Sequence, residues 1–315
     1  MDRFVRAMFG LAGAFGLLGA TARAGDVPYR SVFDVCYLSD GTKLALSDRT
    51  SRKVVFVDAA TRSVLREVQL KGEATGLVCG DKLYAAERDT NSVAEIDPAK
   101  GEVLRRLAVG FRPVGLALLA DSKQLLVCNS GANNISVVDL QSGKETRRIE
   151  VVRNPYFVVV TRDQALAIVG NLIPNGAASE SYNAACVSVI DVKAAAVSNV
   201  LLPPGSSAVR GVAVSPDGKW AYAVHTLGRT NLPTTQLDRG WVNTNALSLI
   251  DLTSKKYHAT VLLDRIFEGA ADPWGLALSQ DGRSLWISIA GVHQRARLDL
   301  ERMHKLLLGE GGDKT

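Results

Sequence analysis

Six copies of a roughly 40-residue module predict an all-β chain, a β-propeller of four-stranded blades that is six-bladed or an incomplete seven-bladed ring. Each copy carries short apolar strands separated by polar turns. Each third strand closes on an aspartate, and these fall at Asp58, Asp97, Asp139, Asp191, Asp251 and Asp299. Between the strands no amphipathic stretch of helical length occurs, which argues against a parallel-sheet enzyme.

The first residues read as an export signal. Arg3 and Arg6 precede an apolar run from Ala7 to Ala20, and Ala22-Arg23-Ala24 has the small-x-small pattern of a cleavage site. The run is too short for a comfortable bilayer span. Residues 1–24 are therefore expected to be removed, leaving a mature chain from Gly25 with no stable membrane span, in the periplasm or secreted. Losing Asp2, Arg3, Arg6 and Arg23 takes the net charge from +5 to +3. That charge is too small and dispersed for a nucleic-acid footprint. Cys36, Cys79, Cys128 and Cys186 allow three disulfide pairings, which the sequence does not separate.

The module is plainest in its third copy. Val114-Gly115-Leu116-Ala117-Leu118 opens it, Ala120-Asp121-Ser122 turns, Leu125-Leu126-Val127-Cys128-Asn129 returns, and Ile135-Ser136-Val137-Val138-Asp139 closes. A fourth strand comes after the closing aspartate, as in Glu102 to Leu107 of the second copy. Turn-forming Ser39-Asp40-Gly41, Ser215-Pro216-Asp217-Gly218 and Ser279-Gln280-Asp281-Gly282 recur between first and second strands. From the end of the second strand to the closing aspartate the distance is ten residues in copies one, two, three and six. It is twenty in copy four, from Asn171 to Asp191, and twenty-six in copy five, from His225 to Asp251. Both insertions occupy one kind of connection, so both are expected over one mouth of the ring. The propeller is assigned to residues 25–300, and 301–315 to a helical or disordered tail, with helical patterning from Leu298 to Leu308. Ring closure stays open: six blades close, residues 25–33 contribute to another, or a partner supplies the rest.

Leu125 to Asn129, then Ser130-Gly131-Ala132-Asn133-Asn134 and Ile135 to Asp139, resemble the YVTN-type β-propeller repeat, over about Val35 to Asp299. His225-Thr226-Leu227-Gly228-Arg229, Leu232 to Trp241 and Asn243-Thr244-Asn245-Ala246 resemble a subgroup of exported bacterial propellers often joined to c-type cytochrome modules. The resemblance implies a possible redox partner, a c-type cytochrome or haem module on another chain. No Cys-x-x-Cys-His occurs here, so this chain has no covalent haem attachment motif of its own, and its cofactor is left unknown.

Candidate site residues come from three positions. Thr75, Val114, Tyr156, Arg210 and Trp274 precede the opening glycine of their copies (Phe157 replaces it in copy four) and are expected nearest the axis. Asp48, Glu87, Asn129, Asn171, His225 and Ile289 end the second strands. The insert of copy five adds Thr235, Gln236, Arg239, Trp241, Asn243 and Asn245, and copy four adds Asn175, Tyr182 and Asn183. The funnel ligand set is Tyr156, Asn171, Arg210, His225, Gln236, Arg239, Trp241, Asn243, Trp274 and His293. Arg210 offers a fork for a carboxylate or phosphate, and the tryptophans offer flat faces. His225 with His293 is a weaker metal reading, since no third ligand is fixed beside them.

The function expected is binding of a small polar ligand or a redox partner, without catalysis. A metal-assisted lactonase-type hydrolase and a structural surface protein are the alternatives. The axial Thr, Val, Tyr, Arg and Trp argue against the hydrolase, which needs convergent carboxylates.

Overall fold

A computed structural model describes residues 30–119, 123–177, 179–180, 182–228, 243–265 and 268–309. The export signal, the turn Ala120-Asp121-Ser122 and the insert 229–242, with Gln236, Arg239 and Trp241, lie outside the described residues. Among the described residues no helix is long and apolar enough to cross a membrane.

The strands form six antiparallel sheets of a β-propeller. The first sheet holds β1 (Val32–Tyr37), β2 (Lys43–Asp48), β3 (Lys53–Asp58) and β4 (Val64–Gln69), and the second holds β5 (Ala74–Cys79), β6 (Leu83–Glu87), β7 (Ser92–Asp97) and β8 (Glu102–Ala108). The third holds β9 (Pro113–Leu118), β10 (Gln124–Asn129), β11 (Asn134–Asp139) and β12 (Lys144–Glu150). The fourth holds β13 (Pro155–Val160), β14 (Leu166–Asn171), β15 (Cys186–Asp191) and β16 (Val197–Leu201). The fifth holds β17 (Ser206–Val214), β18 (Trp220–Gly228), β19 (Asn243–Asp251) and β20 (Lys256–Leu262).

The sixth departs from the four-strand expectation. It has three strands among the described residues, β21 (Pro273–Leu278), β22 (Ser284–Ile289) and β23 (Gln294–Asp299), and the chain then turns into helix α1 (Leu300–Leu307). Asp299 caps that helix by accepting from the Arg302 N–H at 3.0 Å. Its counterparts hold the turn to the fourth strand in the same way. Asp58, for instance, accepts from the Ala60 and Thr61 N–H groups at 3.0 and 2.7 Å.

Two compact units divide the described residues at 160/161. In residues 30–160, apolar residues alternate along each strand and pack one sheet on the next. Ala45, Val54 and Phe56 of the first sheet meet Leu83, Ala85, Ala94 and Ile96 of the second. Tyr84, Ala86 and Val93 then meet Leu116, Leu125, Val127 and Val138 of the third. The innermost strands approach so closely that a side chain does not fit. A Cβ on Gly76 would lie 2.2 Å from the Val114 carbonyl oxygen, and one on Gly115 would lie 2.5 Å from that of Tyr156. This close approach is the physical reason for the opening glycines.

In residues 161–309 the same construction recurs. A Cβ on Gly211 would sit 2.4 Å from the Trp274 carbonyl oxygen. Tyr222, Val224, Leu247 and Leu249 of the fifth sheet pack on Leu285, Ile287 and Ile289 of the sixth. Leu300 and Met303 of α1 join this core, and His304 Nε2 meets the Tyr222 hydroxyl at 2.9 Å.

Candidate functional site

The bases of the two insertions meet. Part of the longer one is strand: Thr226, Leu227 and Gly228 pair with Asn245, Thr244 and Asn243, so the fifth sheet extends beyond the others at this end. Gly205, with φ +84°, links that extension to the fourth-sheet insertion. Its N–H donates to the Asn183 carbonyl at 2.9 Å, and its carbonyl accepts from the Gly228 N–H at 2.8 Å. Only glycine fits there, because a Cβ would fall 2.0 Å from the Gly228 carbonyl oxygen. Tyr182 closes the corner with a 3.0 Å bond to the Leu202 carbonyl.

Arg210 and Trp274 come from adjacent inner strands, β17 and β21. The Arg210 guanidinium carbon stands 4.7 Å from the Trp274 ring centre, and the same guanidinium pairs with Asp272. Asp272 is held in a left-handed conformation, φ +60°, just before Pro273. Both members of the ion pair are partly exposed. In the other unit Tyr156 sits in an aromatic group, its ring 5.9 Å from Phe33 and 5.5 Å from Phe157. Phe33 stacks on Phe157 at 6.2 Å. Phe33 occupies the position before the opening glycine in the first sheet, where Asp34 stands in the glycine's place. Asp34 accepts from the Leu77 and Val35 N–H groups, both at 2.8 Å, and burial still pushes its pKa up to about 6.

The side chains that end the second strands are enclosed. Asp48, Glu87, Asn129, Asn171 and His225 are all buried, at 2 % exposure or less. Asn129, Asn171 and His225 anchor polar relays running through their own sheets. Asn129 Nδ2 donates to Ser136 Oγ at 2.7 Å, and that hydroxyl donates to Glu145. Asn171 repeats the pattern, donating to Ser188 Oγ at 3.0 Å, which donates to Asn199 at 2.8 Å. His225 Nε2 meets Ser248 Oγ at 2.8 Å, which meets Thr260 Oγ1 at 2.7 Å. His225 Nδ1 lies 3.1 Å from the Thr226 carbonyl, so both ring nitrogens are engaged. Burial lowers its pKa to about 4, against the opposing pull of that carbonyl. In the second sheet Glu87 pairs with Arg106 at 2.8 Å. Burial works to raise the Glu87 pKa, but bonds from Arg106, the Lys71 N–H and Ser92 outweigh it and hold the carboxyl below its ordinary range.

His293 is exposed at the end of a 3₁₀ turn, in a left-handed conformation, while its suggested metal partner His225 is enclosed. Among the described residues no three His, Cys, Asp or Glu side chains are grouped to hold a metal. Asn243 begins β19, exposed. All four cysteines are free thiols, Cys128 and Cys186 buried and Cys36 and Cys79 half-buried.

The sheets and their radially repeated inner strands make this chain a β-propeller. No protein-family model matches it. It is 28 % identical over 312 residues, 93 % of its length and 78 % of the relative's, to hydrazine synthase subunit beta of Kuenenia stuttgartiensis. It also resembles the seven-bladed β-propeller protein Rv1057 of Mycobacterium tuberculosis, 28 % identical over 147 residues, which are 46 % of this chain and 35 % of that one. Among solved structures, Kuenenia stuttgartiensis hydrazine synthase superposes with a TM-score of 0.81 at 26 % identity, covering 92 % of this chain and 82 % of that one. A chain of a mitotic checkpoint complex superposes at 0.65 with 17 % identity, over 88 % of this chain and 78 % of that one, a likeness of fold alone.

Proposed function

We propose that this chain is a non-catalytic interaction propeller, exported from the cell, which recognises a redox partner or a small polar ligand through the inner-strand cluster around Arg210. One observation carries the reading. The acids, amides and imidazole at the second-strand ends are enclosed, with Asp48 Oδ2, Asn129 Oδ1 and Asn171 Oδ1 buried without a hydrogen-bond partner among the described residues, whereas Arg210, Asp272 and Trp274 gather a cation, an anion and a flat ring where solvent reaches them. That is recognition chemistry, suited to a carboxylate or an anionic protein surface that competes with Asp272 for the guanidinium. The relative aligned along most of the chain is by name a subunit of an enzyme, and this supports a role in an assembly. The partner proposed is a c-type cytochrome or other haem-carrying chain.

Tryptophan fluorescence tests it. Titration with a c-type cytochrome, or with a panel of small dicarboxylates, is expected to change the emission saturably. Replacing Arg210→Ala together with Trp274→Ala is expected to abolish the response. An unaltered response in the double variant would remove this cluster from the function. Hydrolysis of a lactone by metal-loaded protein would favour the enzyme reading instead.

A further inference from the structure

The first and second sheets bring two thiols to one place. Their inner strands, β1 and β5, open equivalent sheets and run side by side in the same direction. One bond fixes their register: the Leu77 N–H donates to Asp34 Oδ2 at 2.8 Å. Two residues further along each strand stand Cys36 and Cys79. No bulge intervenes, because from Asp34 and from Leu77 onward both strands pair regularly with the second strands of their sheets. Cys36 lies opposite Ala45, and Cys79 opposite Leu83. Side chains alternate along a strand, so both cysteines point to the face that Asp34 and Leu77 share, the gap between the two sheets. Both accordingly pack on one core, which includes Ala45, Phe56, Leu77 and Leu83.

The two thiols differ in reach. Cys79 Sγ lies 3.9 Å from the Ser39 hydroxyl and 3.5 Å from the Gly80 carbonyl, in the turns that leave β1 and β5. Burial raises the pKa of both thiols, that of Cys36 well above its ordinary value, whereas hydrogen bonds from Ser39 oppose the rise at Cys79. Cys79 is therefore the thiol that ionises first. Cys128, in β10, and Cys186, in β15, are fully enclosed within the third and fourth sheets. Of the three pairings that four cysteines allow, the geometry favours the one containing Cys36–Cys79.

We propose that Cys36 and Cys79 form a reversible disulfide by exchange with an external disulfide, a redox-controlled staple between the first two inner strands. The Cys79 thiolate attacks one sulfur of the external disulfide, forming a mixed disulfide and expelling the first thiolate. Cys36 then loses its proton and attacks Cys79 Sγ, which closes the internal bond and expels the second thiolate. The two protons given up by the cysteines end on the two departing thiolates. The external disulfide is reduced as the pair is oxidised. The pair belongs to residues 30–160 and uses none of the Arg210 cluster, so either reading can fail without the other.

The test treats the full, folded chain with cystamine, a cationic disulfide, because the Asp40 and Asp81 carboxylates act on Cys79. Thiols are counted after denaturation, and the linked peptides are mapped by mass spectrometry. The wild type is expected to fall from four thiols to two, to yield a Cys36–Cys79 cross-link, and to recover all four thiols in dithiothreitol. Cys36→Ser is expected to stop at a cysteamine adduct on Cys79. Cys79→Ser is expected to react about tenfold more slowly at Cys36, which then lacks the attacking thiol. The cross-linked protein should unfold at higher urea than the reduced one, since the staple closes a long loop. A cross-link through Cys128 or Cys186 would overturn the proposal. So would a wild-type adduct on Cys79 that never resolves, or a cross-linked chain that unfolds at lower urea than the reduced chain.

Discussion

The second and sixth sheets share one register and answer differently to it. In the second, β7 is enclosed by β8, and the charged residues it meets are neutralised in place: Glu95 by Arg105, and the wholly buried Glu87 by Arg106. In the sixth, β23 has no such cover among the described residues, and its third-strand positions carry arginines. The difference teaches that the fourth strand decides the chemistry of the third. A covered strand must be apolar or paired, because a buried unpaired charge is costly, whereas β23 holds its exposed cations over the Trp286 ring.

Exchanging residues between these sheets gives the largest expected effects. Val93→Arg places the sixth sheet's residue in the second, where Val93 is fully enclosed. It should cost about 4 kcal/mol or more in urea unfolding, whereas Arg295→Ala should stay within about 0.5 kcal/mol. A Val93→Arg protein of unchanged stability would break the comparison. Next comes Arg106→Ala, which strands the Glu87 carboxylate and should cost about 3 kcal/mol. Adding Glu87→Gln to that variant should restore part of the loss, and failure to do so would mean the pair contributes through packing alone.

The smallest effect separates the two units by pH. His225 is held neutral, with a folded pKa of about 4 against about 6.5 unfolded. Its contribution is complete above the unfolded value and is lost as pH falls towards 4. Asp34, raised to about 6, has the opposite sign: its contribution is complete below the unfolded carboxyl value of about 3.9 and is lost as pH rises through 6. Hydrogen exchange, corrected for intrinsic rates, should therefore show β18 losing protection and β1 gaining it as pH falls from 6.5 to 4. His225→Asn should flatten the β18 response, since Asn129 and Asn171 serve the same relay position without titrating.

The repeat, the strand order and the site of both insertions were legible in the sequence, because periodic apolar runs and recurring aspartates report local geometry. The direction of the second-strand ends was not. Asn171 and His225 are polar, and polarity suggests water, yet repeat phase alone does not say which face a neighbouring strand covers. The usable signal was the serine in the third strand. Ser136, Ser188 and Ser248 hold one register position and occur where Asn or His ends the second strand. In the sixth sheet Ile289 and Ala296 replace both partners together, an apolar swap at the same relay. Phe33 and Asp34 were missed because the first sheet lacks the opening glycine that marked the second, third, fifth and sixth.

Asp299 carries a last consequence. It binds an N–H three residues onward, as Asp58 does with Thr61, but one begins a helix and the other a hairpin. The start of the two elements is therefore interchangeable, and the downstream residues choose between them. A lineage could trade an outer strand for a helix, or recover it, by altering only the segment after this aspartate and leaving the junction itself untouched.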